Sequence, residues 1–184
     1  MKHRRFLLAA ALFVSSGIQL VQADESPLTT PEPTTDSANK PAQRENIPPW
    51  VIELFSAKKL DAQYEFGFAL NPIYLRGDFN GDGEMDVAVL VKQRSTGKLG
   101  IAIVHGATNK VSIVGVGVGI GNGGDNFDWM DSWQVYSKDR AAHAASEGGV
   151  PRLRGDALLV SKSEAASALI YWNGKQYIWL QQGD

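Results

Sequence analysis

The stretch SALIYWNGKQYIWLQQ, Ser167 to Gln182, carries the clearest fold signal in the chain. Two runs rich in aromatic and β-branched residues flank the pair Asn173-Gly174, which is favoured at the centre of two-residue hairpin turns of type I′. The stretch therefore predicts an antiparallel β-hairpin at the end of the chain.

The segments before this hairpin also predict mostly strands. Two apolar runs, DVAVLVKQ and LGIAIVHG, flank RSTGK, and KVSIVGVGV follows GATN, which predicts a three-stranded antiparallel meander. SWQVYS and DALLVSK are two further strand candidates, and SKDRAAHAASEGG between them predicts either one short helix or a loop.

One helix is predicted near the start of this region, over IPPWVIELFSAKKL. Pro48 and Pro49 suit the first turn of a helix, and the apolar residues that follow recur at three- and four-residue spacing. The fold class predicted is α+β, a mostly antiparallel sheet (meander plus C-terminal hairpin) with an N-terminal helix.

The first 23 residues have the pattern of a secretory signal peptide. A basic MKHRR precedes the apolar run FLLAAALFV, and small residues at Val21 and Ala23 fit cleavage before Asp24. A membrane anchor is the alternative, but the apolar run is short for a span. We therefore expect a periplasmic or secreted protein that has no membrane attachment after cleavage.

Residues 24–46 predict a disordered tether rich in Pro and Thr. They contain no aromatic residue, and Leu28 is their one large aliphatic residue. Residues 47–184 then form a single globular domain. The mature chain holds 15 basic and 20 acidic residues, a net charge of −5. This mildly acidic balance gives no basic surface for nucleic acid.

The acidic stretch GDFNGDGEMD, Gly77 to Asp86, predicts a metal site. Oxygen-bearing side chains fall at positions 1, 3, 5 and 9 of the loop that starts at Asp78; they are Asp78, Asn80, Asp82 and Asp86. Gly83 falls where the chain must turn sharply, and the backbone carbonyl of Glu84 would face inward. This alternation gathers the oxygen ligands that Ca²⁺ requires. The alternative is a solvated acidic turn.

The loop is not an EF-hand, because Val89 stands where an EF-hand has its bidentate glutamate and a strand follows. The stretch YLRGDFNGDGEMDVAVLV instead resembles the calcium loop of FG-GAP/VCBS-type repeats. It is present in one copy, and RLRGDALLVS at 152–161 echoes it without the later acidic residues. The resemblance implies Ca²⁺ as the cofactor. The C-terminal stretch resembles the endings of small exported bacterial proteins, which implies no particular activity.

A second acidic segment, DNFDWMDSW, interleaves carboxylates with aromatic rings. Its candidate ligand-binding residues are Asp125, Asp128, Trp129, Asp131 and Trp133. Carboxylates beside indole rings suit sugar binding or a paired-carboxylate hydrolase site. The alternative is a turn whose aspartates cap backbone amides while the aromatic rings enter the core.

No catalytic residue is predicted, since neither His105 nor His143 has a nucleophile and acid near it in the sequence and the chain has no cysteine. The sequence therefore favours an exported calcium-binding module with an unknown protein or glycan ligand. The alternative function is a glycan or cell-wall hydrolase that uses Asp125, Asp128 or Asp131.

Overall fold

The computed structural model describes residues 42–141 and 151–183, which all belong to one compact unit. The predicted signal peptide and residues 24–41 of the predicted tether lie outside the described residues. The last part of the tether does not continue as extended chain, because residues 42–44 are helical.

The predicted helix is present as α1, Pro49–Ala57. Proline occupies its first turn, where the missing N–H costs no hydrogen bond. After the C-cap Lys58, Lys59 has a positive φ of 56° and leads into a short 3₁₀ helix, Leu60–Ala62. Val51 and Phe55 are the buried residues of α1 and face the first sheet.

The first sheet has five antiparallel strands around β3 and β4. Their bounds are β1 Tyr64–Phe66, β2 Tyr74–Gly77, β3 Asp86–Gln93, β4 Leu99–Val104 and β5 Val111–Gly115. The order is β1-β3-β4-β5, and β2 lies on the same edge of β3 as β1; β2 pairs with the beginning of β3 and β1 with its end. The predicted meander is confirmed as β3 to β5, although its third strand ends at Gly115, where φ becomes positive.

The second sheet contains four antiparallel strands in chain order. They are β6 Ser132–Tyr136, β7 Ala157–Lys162, β8 Ala166–Trp172 and β9 Tyr177–Gly183. The C-terminal hairpin is confirmed, but the type I′ turn centred on Asn173-Gly174 is wrong. The N–H of Asn173 donates to the carbonyl of Gln176, so Gly174 and Lys175 are central, and Gly174 alone has a positive φ, as in a type II′ turn.

The helix and the two sheets form layers that bury both faces of β3. Val87, Val89 and Val91 pack with α1, whereas Ala88 and Leu90 lie in the core between the sheets. The second sheet contributes Leu158, Val160, Ala168 and Ile170 to that same core. Burial on both faces explains why β3 is a continuous apolar run without alternation.

The connection between β6 and β7 is described only in part. Residues 138–141 are helical, which agrees with the helical alternative, and the rest of the predicted segment falls in residues outside the description. The α+β class with mostly antiparallel sheet and a helix near the N-terminal end is confirmed, and the strands β1 and β2 were not predicted.

Candidate functional site

The acidic loop, residues 78–85, connects β2 to β3 as a hairpin. Gly77 and Asp86 are register partners at the ends of the two strands. Phe79 has no exposed surface and packs in the core between the sheets, so it anchors the loop from within. Gly81 and Gly83 have φ angles of 77° and 89°, which L-residues with side chains rarely adopt. Gly83 thus provides the sharp turn expected at its position.

The carboxylate of Asp78 organises the backbone of this loop. Its Oδ1 accepts the N–H groups of Gly81 at 2.7 Å and Asp82 at 3.0 Å, and its Oδ2 accepts that of Gly83 at 3.1 Å. Three amides on one carboxylate fix the path of the chain around it, so the loop has a defined shape before any ion binds.

Asn80 and Asp82 are oriented by each other. The N–H of Asp82 donates to Oδ1 of Asn80 at 2.9 Å, and Nδ2 of Asn80 donates to Oδ2 of Asp82 at 2.9 Å. The N–H of Glu84 donates to Oδ1 of Asp82 at 2.9 Å. That N–H, followed by the Asn80 side chain, lowers the pKa of Asp82 below its ordinary value. Asp82 is therefore held as an exposed carboxylate.

Asp86 differs from the other loop carboxylates because it is fully buried. Its Oδ2 accepts the N–H of Phe79 at 3.0 Å, and its Oδ1 accepts the N–H of Gly106 at 3.1 Å. Burial raises the pKa of Asp86 above its ordinary value, and the amides of Gly106 and Phe79 oppose this shift. Asp86 therefore holds the start of β3 to the loop on one side and to the end of β4 on the other.

The loop residues predicted to bind Ca²⁺ can be compared with the oxygen ligands that a cation site needs. Within residues 42–141 and 151–183, no three acidic or histidine side chains form a group that could hold a metal ion. A loop site of the predicted kind also uses amide and backbone oxygens. A carboxylate has about four lone-pair sites, and the amide bonds to Asp78 and Asp82 leave some of them free. Asp78, Asn80 and Asp82 therefore keep oxygen lone pairs that Ca²⁺ could use, and Glu84 is exposed. Asp86 also keeps lone pairs, but it differs from the other three because it is fully buried.

His105 is a buried neighbour of the loop that sequence reasoning missed. Its side chain is 4% exposed, and its Nδ1 lies 2.6 Å from Nδ2 of Asn80 and 3.9 Å from Oδ2 of Asp86. The signal for it was the predicted pairing of β3 with β4. Because Val87 pairs with Val104 in that register, Asp86 and His105 stand opposite each other one position further along.

The hydrogen bonds around Asn80 assign the tautomer of His105. Oδ1 of Asn80 accepts from Asp82, so the group that points at His105 is the Nδ2 amide, a donor. Nδ1 of His105 is then the acceptor, and the ring hydrogen sits on Nε2. That nitrogen lies 3.4 Å from the hydroxyl of Tyr177 and 3.5 Å from Oγ of Ser112. His105 therefore connects the acidic loop to β5 and β9.

Tyr177 places a buried hydroxyl near the acidic loop. Burial raises the pKa of its hydroxyl far above the ordinary value, and the carboxylates of Asp86, Asp78 and Asp82 add to the shift in that order. The Tyr177 hydroxyl therefore keeps its proton, mainly because it is buried, and can form a hydrogen bond with His105.

The echo of the loop, at residues 152–156, packs directly against the loop itself. A Cβ on Gly155 would lie 2.2 Å from the carbonyl oxygen of Asp78, so only glycine fits there. The carboxylate of Asp156 accepts the N–H of Asp78 and also that of Lys138, at 3.1 and 2.9 Å. Nζ of Lys138 lies 4.0 Å from the Asp78 carboxylate, and this half-exposed lysine contributes little to stability.

Two of the three aspartates of the second acidic segment, Asp125 and Asp131, have separate partners. Asp125 pairs with Nζ of Lys98 in the turn between β3 and β4. Asp131 accepts the N–H and hydroxyl of Ser163 at 2.9 and 3.0 Å and pairs with Lys162 at 3.2 Å. These contacts lower the pKa of Asp131, with the Ser163 N–H as the largest cause. Asp128 is exposed.

The two tryptophans of this segment belong to the hydrophobic core or its border. Trp133 is 3% exposed, and its Nε1 donates to the carbonyl of Pro72 at 2.8 Å. Trp129 is partly buried, donates to the carbonyl of Gly123 and packs edge-on against Trp179, with ring centres 5.9 Å apart. The placement of Trp133 agrees with the turn alternative, in which the aromatic rings enter the core.

Cavities outside the acidic loop in the described part of the chain include one of about 320 Å³ beside Trp129 and Trp179 and two larger ones. The larger, about 880 Å³, opens between α1 and β1 beside Arg44 and Glu45, where the description of the chain begins. The second, about 630 Å³, lies between β5 and the β8–β9 hairpin and includes Ser112 and Tyr177 in its wall. The second cavity is therefore in direct contact with the residues that surround His105.

Comparison with protein-family models, with curated proteins and with solved structures finds no significant match to this chain. Among the described residues, no helix combines the length and the apolar character that crossing a membrane requires.

Proposed function

We propose that the protein is an exported calcium-binding domain that acts as a binding module. The observation that carries the calcium proposal is the shape of the acidic loop. Three amides on Asp78 and the reciprocal bonds between Asn80 and Asp82 hold these three side chains in one short turn. The resemblance of the loop to FG-GAP/VCBS-type repeats supports the same ion.

A bound Ca²⁺ would offset the repulsion among the loop carboxylates. Asp78, Asn80 and Asp82 would supply side-chain oxygens, and Glu84 its backbone carbonyl. Asp86 would contribute only with a rearrangement around it, because it is fully buried beneath the loop. The site lacks a bidentate glutamate, so its dissociation constant is expected to be on the order of 10⁻⁴–10⁻³ M.

The role of this loop is structural support for a binding surface. It lies against the echo segment and contacts His105, which in turn contacts β5 and β9. An ion there stabilises the junction between the two sheets and the walls of the second cavity. The geometry does not support the hydrolase alternative. Asp125 pairs with Lys98 and Asp131 pairs with Lys162, so the two carboxylates are bound to different parts of the fold.

Isothermal titration calorimetry of the intact protein with CaCl₂ tests this proposal. We expect one weak site per chain in wild-type protein and none in the Asp82→Asn variant, which keeps the size of the side chain but loses its charge. Asp128→Asn, at an exposed position outside the loop, is the matched control and should bind as wild type does. Equal heats from all three proteins would contradict the loop site.

A further inference from the structure

The second cavity forms a cleft between the outer edge of β5 and the β8–β9 hairpin. We call it the aromatic cleft; its principal lining residues are Ile113, Val118, Trp172, Lys175, Tyr177 and Trp179. Its volume of about 630 Å³ is that of a ligand site. Val118, at its border, is one of two large apolar residues with more than half of their surface exposed in the described part of the chain.

The backbone of β5 offers hydrogen-bonding groups to this cleft. The N–H of His105 donates to the carbonyl of Lys110, and that of Val116 donates to the carbonyl of Leu99. Bonded and non-bonded pairs alternate in an antiparallel ladder, so the N–H and C=O of Ile113 point away from β4. In the described sheet β5 is the terminal strand, and its outer edge is met only by a single bridge from Val118 to Gly115.

The aromatic wall of the cleft is fixed by its surroundings. A Cβ on Gly121 or Gly123 would lie within 2.6 Å of Trp179, so these glycines pack directly against that side chain. Trp172 and Tyr177 are in contact, with ring centres 5.1 Å apart, and the Tyr177 hydroxyl reaches His105. Rigid aromatic surfaces bind apolar groups at a small cost in conformational entropy.

The charge and polarity of the lining indicate the kind of ligand. Lys175 is the one charged residue that lines the cleft, and within the described residues it forms no ion pair with a carboxylate. The other polar side-chain groups of the lining are those of Ser112 and Gln176, the Tyr177 hydroxyl and the indole N–H groups of Trp172 and Trp179. The outward N–H and C=O of Ile113 can pair with an extended peptide backbone, which a glycan lacks, and Lys175 matches one acidic group on such a peptide.

We propose that the aromatic cleft binds an extended peptide that pairs with the outer edge of β5. The peptide backbone forms hydrogen bonds with the N–H and C=O of Ile113. Alternate apolar side chains of the peptide contact Trp172 and Trp179, and an acidic side chain or a terminal carboxylate faces Lys175. Strand addition of this kind draws affinity from main-chain bonds and specificity from the pockets for alternate side chains. The inference rests on the binding role in the proposed function but not on the calcium site.

Selection of short random peptides displayed on phage against the intact protein tests the proposal. The selected peptides should alternate apolar residues and contain an acidic residue, and Lys175→Glu should weaken their binding. Binding is followed by the fluorescence of the intact protein, both in EDTA and in millimolar Ca²⁺. Calorimetry with CaCl₂ alone reports the ion site, so a failure of that site is distinguished from a failure of the cleft.

The decisive variant is Ile113→Pro, which removes the outward N–H of β5. Proline is tolerated on an edge strand where the N–H faces outward, so the fold should persist. We expect peptide affinity to fall at least about tenfold, the loss of about 1.4 kcal/mol. The control Ile113→Val keeps the N–H and should bind as wild type does. Should Ile113→Pro fail to fold, N-methylation at each peptide position replaces it, and binding should be lost at alternate positions.

A folded Ile113→Pro variant with wild-type affinity, or N-methylated peptides that all bind equally, would overturn the proposal. A library that yields no binder would also overturn it. So would saturable binding of a glycan, if the Trp172→Ala variant lost that binding.

Discussion

Asp156 holds Asp78 at two points. The N–H of Asp156 donates to the carbonyl oxygen of Asp78 at 2.7 Å, and a carboxylate oxygen of Asp156 accepts the N–H of Asp78 at 3.1 Å. The two Gly-Asp copies in the sequence thus lie side by side, one at the start of the acidic loop and one just before β7. This contact ties the first sheet to the second at the loop.

Asp156→Ala is expected to destabilise the protein by about 1–3 kcal/mol, because the part-buried N–H of Asp78 loses its acceptor. Urea unfolding followed by tryptophan fluorescence measures the change. The control Asp128→Ala, at an exposed position, should stay within about 0.5 kcal/mol of wild type. Equal unfolding midpoints for the two variants would show that the Asp156 contact contributes nothing.

Gly155→Ala is expected to be more harmful than Gly83→Ala. The new Cβ at Gly155 would lie 2.2 Å from a backbone oxygen and 2.6 Å from the backbone nitrogen of Gly81, so the main chain must move. Gly83 has open space around it but a φ of 89°, which costs an alanine about 1 kcal/mol. Steric overpacking costs about 1–3 kcal/mol or more. Thermal unfolding ranks the two variants, and the reverse order would contradict the packing of residues 152–156 on the loop.

Asp131 should contribute to the acid sensitivity of the fold. Its pKa is lowered below the ordinary 3.8, mainly by the N–H of Ser163. Its stabilising contribution is therefore complete above the unfolded pKa and is lost as the pH falls through the lower folded pKa. Asp131→Asn should flatten the decline of unfolding free energy below about pH 4. Urea midpoints over this range measure it, with Asp128→Asn as control; parallel curves for wild type and Asp131→Asn would contradict the assignment.

The sequence pattern predicts the long elements better than the short ones. Helix α1 and strands β3 to β9 follow from apolar periodicity and turn residues, whereas β1 and β2 have three and four residues. Such short strands carry too few residues to show a period. They are stabilised by pairing with β3, a long-range contact that local sequence does not report.

The site follows the same division between local and long-range information. The hydrogen bonds among Asp78, Asn80 and Asp82 join residues two to five positions apart, so their spacing alone brings them together. His105 and Asp156 reach the loop through strand pairing and through packing of the two sheets. The turn at Gly174 was misplaced by one residue, because the side chain of Asn173 caps the N–H groups of Lys175 and Gln176 from outside the turn centre.

The dependence of the melting temperature on calcium tests the central claim most directly. With free Ca²⁺ at about ten times its dissociation constant, wild-type protein should gain about 1.4 kcal/mol of stability, and Mg²⁺ should substitute poorly. Asp82→Ala should remove the calcium effect, so that its melting temperature is the same in EDTA and in millimolar Ca²⁺, and it should melt somewhat lower than wild type in EDTA because the bonds to Glu84 and Asn80 are lost. Asp125→Ala, outside the loop, should retain the calcium effect. A wild-type melting temperature that is the same in EDTA and in millimolar Ca²⁺ would contradict the account and leave residues 78–86 as an acidic turn.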